Sequence, residues 1–214
     1  MNIAIIPARG GSKRLLRKNI RDFGGKPMIN WTIEAAIYSS IFDKVIVSTE
    51  DWEIAGIAEE CGAEVVIRDE ILADDYTPSS LVTVDIVSKL GGDIICQLLP
   101  TCPLRTGTDI IDAYKAFKKS GAPSQISITD FGWQTPRWEV NENGMSKYPF
   151  GRSQDLETCY HPTGAVWFAQ STPLMLNKSF YMTGQTGWFL HWMRAIDIDT
   201  QEDMEIADAI RRVG

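Results

Sequence analysis

The chain has only two histidines and four cysteines among its 214 residues. They are too scattered for the centres such residues usually build. His161 and His191 are not spaced as ligands of one ion, and Cys61, Cys96, Cys102 and Cys159 match no zinc or redox pattern. There is no Gly-x-Ser-x-Gly, so a hydrolase nucleophile elbow is excluded. No apolar run is long enough to cross a bilayer. The N-terminal Ile3-Ala4-Ile5-Ile6 lacks the charged leader and long apolar core of a signal peptide. These absences predict a cytoplasmic chain with no membrane partner and reduced cysteines. Positive charge is not in excess either: 21 Lys and Arg against 28 Asp and Glu leave a net charge of −7. That balance argues against nucleic acid as a partner. Internal repeats and low-complexity segments are also missing.

What is present is the ordinary profile of a globular chain, 44% hydrophobic and 23% charged. Its length suits a single α/β domain spanning 1–214. The first two thirds alternate strand and helix. Continuous apolar strands are predicted over 2–6, 44–48, 64–67, 94–99 and 125–129. Helices are predicted from Pro27 (Ile29, Ile33 and Ala36 or Ile37 on one face), from Thr49 or Glu50 (Ile54, Ile57, Ala58, Cys61), over 79–90, and from Thr106 or Thr108 to near Lys119. Gly62 stands where a helix end wants a left-handed residue, and Gly91-Gly92 stops the third helix. Strands this apolar are buried on both faces, which means a mostly parallel sheet with right-handed crossovers and helices on both sides. The rhythm breaks over 130–192, which holds five of the seven tryptophans. This stretch reads as an insertion, a sheet extension or a dimer arm, with strands possible over 138–140 and 165–169. A last strand is predicted over 194–198. A helix over 201–212 follows, turning Met204, Ala207 and Ile210 to the sheet.

Charge is unevenly placed. Between Arg9 and Lys26 stand seven bases (Arg9, Lys13, Arg14, Arg17, Lys18, Arg21, Lys26) and one acid, Asp22. Such a local excess in an acidic chain calls for an anion. The loop Pro7-Ala8-Arg9-Gly10-Gly11-Ser12-Lys13-Arg14 follows the first strand, where open α/β sheets bind ligands. Its glycines let backbone N–H groups approach phosphate, and Arg9 and Lys13 add full charges. It matches neither the Walker pattern nor G-x-G-x-x-G; the alternative is a solvated basic loop. Asp197-Ile198-Asp199 puts two carboxylates two residues apart, so in an extended segment both point one way and could share a Mg²⁺. The alternative is Asp199 or Thr200 capping the last helix. Leu99-Pro100-Thr101-Cys102-Pro103-Leu104-Arg105 forms a stiff turn after the fourth strand.

Together these motifs resemble the CMP-N-acylneuraminate synthetases, the cytidylyltransferases of sialic acid and related nonulosonic acids. The likeness covers nearly the whole chain. It runs through Ile6-Pro7-Ala8-Arg9-Gly10-Gly11-Ser12-Lys13, Lys18-Asn19, Gly25-Lys26-Pro27-Met28 and Val47-Ser48-Thr49. It continues through Leu72-Ala73-Asp74-Asp75, Pro100-Thr101-Cys102-Pro103-Leu104-Arg105, Thr163-Gly164-Ala165-Val166 and Asp197-Ile198-Asp199-Thr200. Leu99 and Cys102 depart from the Gln and Ser the family often writes, and Thr163, after His161-Pro162, replaces a usual Asn. These positions bear on the acceptor sugar.

The resemblance implies a Rossmann-like fold of the nucleotide-diphospho-sugar transferase type. It implies transfer of CMP from CTP to a nonulosonic acid, the sugar's anomeric hydroxyl attacking the α-phosphorus with loss of pyrophosphate. By the same resemblance, Ala8, Arg9, Gly10, Ser12, Lys13, Lys18, Asn19 and Arg68 bind the nucleotide, and Gln97, Arg105, His161 and Thr163 bind the sugar. Asp197 and Asp199 hold Mg²⁺ and, with Arg9 and Lys13, carry catalysis. The family is typically a homodimer, and the 130–192 insertion suits the arm that completes the partner's site. Two rival enzymes remain: a cytidylyltransferase for another acid sugar such as 3-deoxy-manno-octulosonate, and a metal-dependent nucleotide-sugar glycosyltransferase. A third rival is a silent CTP-binding subunit.

Overall fold

The computed structural model describes residues 1–130, 139–140, 146–147 and 158–213. In chain order, β1 (Asn2–Pro7) leads through a basic loop to a small hairpin of β2 (Asp22–Phe23) and β3 (Lys26–Pro27). Then come α1 (Met28–Ser39), β4 (Lys44–Thr49), α2 (Trp52–Glu60), β5 (Glu64–Ile67), α3 (Ser79–Leu90) and β6 (Ile94–Gln97). The chain continues with α4 (Gly107–Ser120), β7 (Ser124–Asp130) and a hairpin of β8 (Glu139–Val140) and β9 (Ser146–Lys147). It ends with β10 (Tyr160–Gln170), α5 (Ser171–Asn177), β11 (Thr186–Phe189) and α6 (Gln201–Val213).

Seven strands form the central sheet in the order β11-β7-β10-β6-β1-β4-β5. Every pairing is parallel except those of β10, which runs antiparallel to both β6 and β7. Side chains along β1 alternate between two cores. Ala4 and Ile6 pack with Ile33 of α1, Ile54 of α2 and Phe117 of α4, while Ile3 and Ile5 pack with Ile86 of α3 and Leu174 of α5. The sheet is therefore covered on both faces, as its apolar runs require.

The sequence placed most boundaries within two residues, with physical reasons for the misses. α2 starts at Trp52 because Asp51 is its cap, accepting from the Glu53 and Ile54 amides at 3.0 and 3.1 Å. Thr106 caps α4 in a reciprocal capping box with Asp109, and Gly62 takes the left-handed φ of 93°. The break over 130–192 is only partly outside the regular sheet, since β10, α5 and β11 come from it. The strand expected over 165–169 is the end of β10, and the described part of the one over 138–140, Glu139–Val140, is β8. The rest of that stretch, at 131–138, 141–145 and 148–157, lies outside the described residues.

Two expectations are overturned. No strand forms over 194–198: β11 already occupies the sheet edge beside β7, and the chain then passes through a 3-10 turn at Trp192–Arg194. The apolar alternation there comes instead from Ile198, buried in a satellite cluster with Leu15, Phe23, Met28 and Ala207. α6 packs its Ala207 and Met204 on this cluster rather than on the sheet, and Ile210 is half-buried outside it. Among the described residues no helix is long and apolar enough to cross a membrane.

Candidate active site

Because β1, β4, β5 and β6 run parallel, the loops after them gather at one sheet edge. They enclose a cleft of about 280 Å³. The basic loop is set against this edge by a backbone bond that extends the sheet, Ala8 N donating to Ser48 O at 2.9 Å, and Arg68 N extends the β4–β5 pairing by donating to Thr49 O at 3.0 Å. Glu50 braces the loop further. One carboxylate oxygen accepts from Gly10 N at 2.7 Å, the other from Nε and Nη2 of buried Arg68 at 3.2 and 2.8 Å. Burial pushes the Arg68 guanidinium pKa down, and Glu50 opposes that fall. On the far side of Gly10, a Cβ would collide with the Asp51 carboxylate, which itself pairs with Arg17. Glycine is required there by close approach.

Six of the residues expected to bind nucleotide line this cleft: Arg9, Ser12, Lys13, Lys18, Asn19 and Arg68. Ala8 and Gly10 do not. Ala8 is buried in the core, and both backbone N–H groups are already bonded. Ser12 N is likewise bonded, to Gly10 O at 3.0 Å, so three amides of the loop are already taken while its cationic side chains line the cleft. Asn19 Nδ2 holds Arg9 O at 2.8 Å, while its Oδ1 is buried with no partner among the described residues.

The aspartate pair lies in the same cleft, facing the basic loop. Asp199 accepts from Arg14 Nη2 at 2.6 Å and Lys18 Nζ at 2.5 Å. Asp197 is open to water at the bottom of the concavity. Crowding by surrounding atoms raises its carboxyl pKa. The Thr101 hydroxyl opposes that rise, Asp199 adds to it and Lys18 opposes it. The capping alternative also holds in part: Thr200 caps α6 and Asp203 returns bonds to the amides of Asp199 and Thr200 at 3.0 and 2.8 Å. Among the described residues no group of three or more His, Cys, Asp or Glu could hold a metal. The pair could therefore supply at most two ligands, a number that suits Mg²⁺ completed by phosphate oxygens and water.

Asp197 also borders a second cavity, of about 420 Å³, lined by Thr129, His161, Thr163 and Trp192 among others. Its wall is an irregularity in β10, where five steps from Pro162 to Trp167 oppose two steps of β7, Ile128 to Ile126. Pro162 has no N–H to continue the ladder. Ser127 Oγ meets Thr163 Oγ1 at 2.7 Å and accepts from Val166 N at 3.0 Å, filling the gap. Leu99 N donates to Gly164 O at 3.1 Å, and the Leu99 side chain packs where a Cβ on Gly164 would stand.

Of the expected sugar residues, His161 and Thr163 line this second cavity, but Gln97 and Arg105 line neither chamber. Gln97 is buried beneath the cleft floor, accepting from Thr83 Oγ1 at 2.7 Å and donating to Ser79 Oγ at 3.0 Å. Arg105 is buried too, donating to Ala165 O at 2.6 Å. Both are bonded to the walls of the two chambers, and Arg105 Nε and Nη2 are buried with no partner among the described residues. The sequence reading passed over Asp75, which pairs with Arg9 and Lys13, and over Thr101, Glu50 and Trp192. Asp74-Asp75 stands among the motifs of the resemblance, but nothing in that stretch of sequence signals an ion pair across the cleft.

Comparison with known proteins gives this geometry a context. A family model described as "Cytidylyltransferase" matches residues 3–209. A pseudaminic acid cytidylyltransferase of Campylobacter jejuni is 36% identical over 99% of this chain and 97% of its own length. An N-acylneuraminate cytidylyltransferase of Escherichia coli is 33% identical over 98% of this chain and 52% of its own. Among solved structures, a CMP:2-keto-3-deoxy-manno-octonic acid synthetase complexed with CTP superposes with a TM-score of 0.76. It is 17% identical, over 99% of this chain and 98% of that one.

Proposed function

This chain belongs to the cytidylyltransferase family, and we propose that it activates a nonulosonic, sialic-acid-like sugar with CTP, yielding the CMP-sugar and pyrophosphate. One observation carries the reading: Arg9, Lys13, Asp197 and Asp199 line one cleft, and Asp197 also borders the adjoining cavity that holds His161 and Thr163. A nucleotide in the first chamber and a sugar in the second would meet at Asp197.

In the reaction the sugar's anomeric hydroxyl forms a bond to the α-phosphorus. The bond to the β-phosphate bridging oxygen breaks, pyrophosphate leaves, and the hydroxyl proton passes to solvent or pyrophosphate. Such transfer needs positioning and charge neutralisation more than covalent help. Arg9 and Lys13 would hold the β- and γ-phosphates. Lys18 would stand between phosphate and Asp199. The buried, unpartnered Asn19 Oδ1 supports a contact with an N–H or O–H of the nucleoside. Asp197 and Asp199 would hold Mg²⁺, which supplies charge neutralisation on the phosphates when bound. No side chain is assigned as general base.

The sugar class follows the 36% and 33% identical relatives, whose names specify pseudaminic acid and N-acylneuraminate. The octonic acid synthetase is alike in fold at 17% identity. Our reading includes a homodimer with its arm drawn from the 130–192 insertion. It also places the chain in a reducing compartment, the cytoplasm, in keeping with Cys96 and Cys102 buried in the core as thiols. The deciding assay measures pyrophosphate release from CTP with sialic, legionaminic, pseudaminic and 3-deoxy-manno-octulosonic acids. Release with none of the nonulosonic acids would sink the proposal, and release with the octulosonate alone would move it to that rival.

A further inference from the structure

The tips of the two cations that face the cleft are occupied by the chain's own carboxylate. Arg9 Nη1 donates to Asp75 Oδ1 at 2.9 Å and to Asp74 O at 2.8 Å, and Lys13 Nζ pairs with Asp75 Oδ2. One carboxylate thus takes Arg9 Nη1 and Lys13 Nζ, two of the nitrogens that a phosphate would meet. The Arg68–Glu50 pair is built differently. Its side chains are 3% and 17% exposed, and Glu50 grips the inner Nε edge of the guanidinium, which makes a permanent brace. At Asp75 the exposures are 35% for Arg9, 79% for Lys13 and 36% for the carboxylate. Pairs so exposed are weak and exchange readily.

The loop that carries Asp75 is bonded mainly to itself. The Asp74 carboxylate accepts from the Tyr76 and Thr77 amides at 3.0 and 2.6 Å, and Thr77 Oγ1 donates to Ile71 O at 3.3 Å. It can shift as a unit once the two ion pairs open. A polyphosphate on Arg9 and Lys13 could not tolerate a carboxylate within a few ångströms, because like charges at that separation repel.

We infer that Asp75 is an internal competitor for phosphate: it neutralises Arg9 and Lys13 in the empty cleft, leaves when polyphosphate binds, and returns to help expel pyrophosphate. The inference rests on the functional reading above. The device would set both the affinity for CTP and the ease of product release.

Calorimetric titration with inorganic tripolyphosphate, without metal, tests it on the full chain, on Asp75→Asn and on Asp75→Ala. Asp85→Asn serves as a control that changes net charge equally at a distant pair with Lys89. Both Asp75 variants are expected to bind roughly five- to thirtyfold tighter, the worth of one to two exposed ion pairs, with Asp85→Asn within about twofold of the parent. In turnover assays KM for CTP should fall and pyrophosphate should inhibit at lower concentration. Equal or weaker tripolyphosphate binding by well-folded Asp75 variants overturns the inference. So does an equal gain in Asp85→Asn, or no binding by any of the four. A chain that binds tripolyphosphate as expected yet releases no pyrophosphate from CTP with any sugar would lose the functional proposal and keep this one.

Discussion

Arg9 is held at both ends: Asn19 fixes its carbonyl, and Asp74 and Asp75 hold its guanidinium across the mouth of the cleft. Replacing it with alanine removes a charge that nothing else at that position supplies, yet the side chain is too exposed to support the core. Arg9→Ala should therefore lose about a hundredfold or more in turnover, the cost of removing one positioned charge-stabilising donor, with an unchanged melting temperature. Near-normal initial rates of pyrophosphate release would remove Arg9 from the site. At this scale the sequence was legible where a residue's chemistry is its side-chain charge. Arg9, Lys13, Lys18, Asp197 and Asp199 all reach the cleft. It said less where a nucleotide contact was expected of backbone, or a sugar contact of a buried side chain. The Gly10 amide is taken by Glu50, and Gln97 and Arg105 are turned into the walls. Spacing along a chain does not report which hydrogen bonds are already made.

At the scale of elements, the junction of the basic loop with α2 joins stability to function. Asp51 caps α2 and accepts from Arg17, and it stands against Gly10. The Arg17 hydrogen bond, helped by the helix amides, holds the Asp51 carboxyl below its ordinary value. The sign of the consequence follows: the unfolded chain binds a proton there more readily, so the pair's stabilisation is present above the unfolded pKa of about 3.9 and is lost as pH falls through the lower folded value. Asn caps a helix nearly as well as Asp, so Asp51→Asn isolates the charge. Melting temperatures of parent and Asp51→Asn should differ at neutral pH, and the gap should begin to narrow as pH falls below about 4; a gap that stays constant down to pH 3 would refute the assignment. Elements were legible in sequence wherever burial and period agreed, as in β1, whose alternate residues feed two cores. They failed at 194–198, where a period-two pattern arose from packing on α6 and the β2–β3 hairpin without a ladder. Alternation records burial on one side, and only a neighbouring edge makes it a strand.

At the scale of the whole molecule, the two chambers share a single wall residue among the described residues. The parallel strands β1, β4, β5 and β6 deliver the basic chamber. The reversed strand β10, through its irregular stretch after Pro162, delivers the other, and Asp197 borders both. Strand order and the reversal of β10 were not legible in the sequence, because a buried run does not say which way it points or which strand it joins. That arrangement nevertheless makes a sharp kinetic demand. Trp192 lines only the second chamber and Lys13 only the first. If the chambers hold sugar and nucleotide respectively, Trp192→Ala should raise KM for the sugar roughly tenfold, the usual loss when an aromatic wall is truncated, and leave KM for CTP within about twofold. Lys13→Ala should do the reverse. Steady-state kinetics varying each substrate at saturating levels of the other would separate the two effects. Equal changes in both constants for Trp192→Ala would mean that the second cavity is not where the acceptor sits, leaving the basic chamber to hold both substrates.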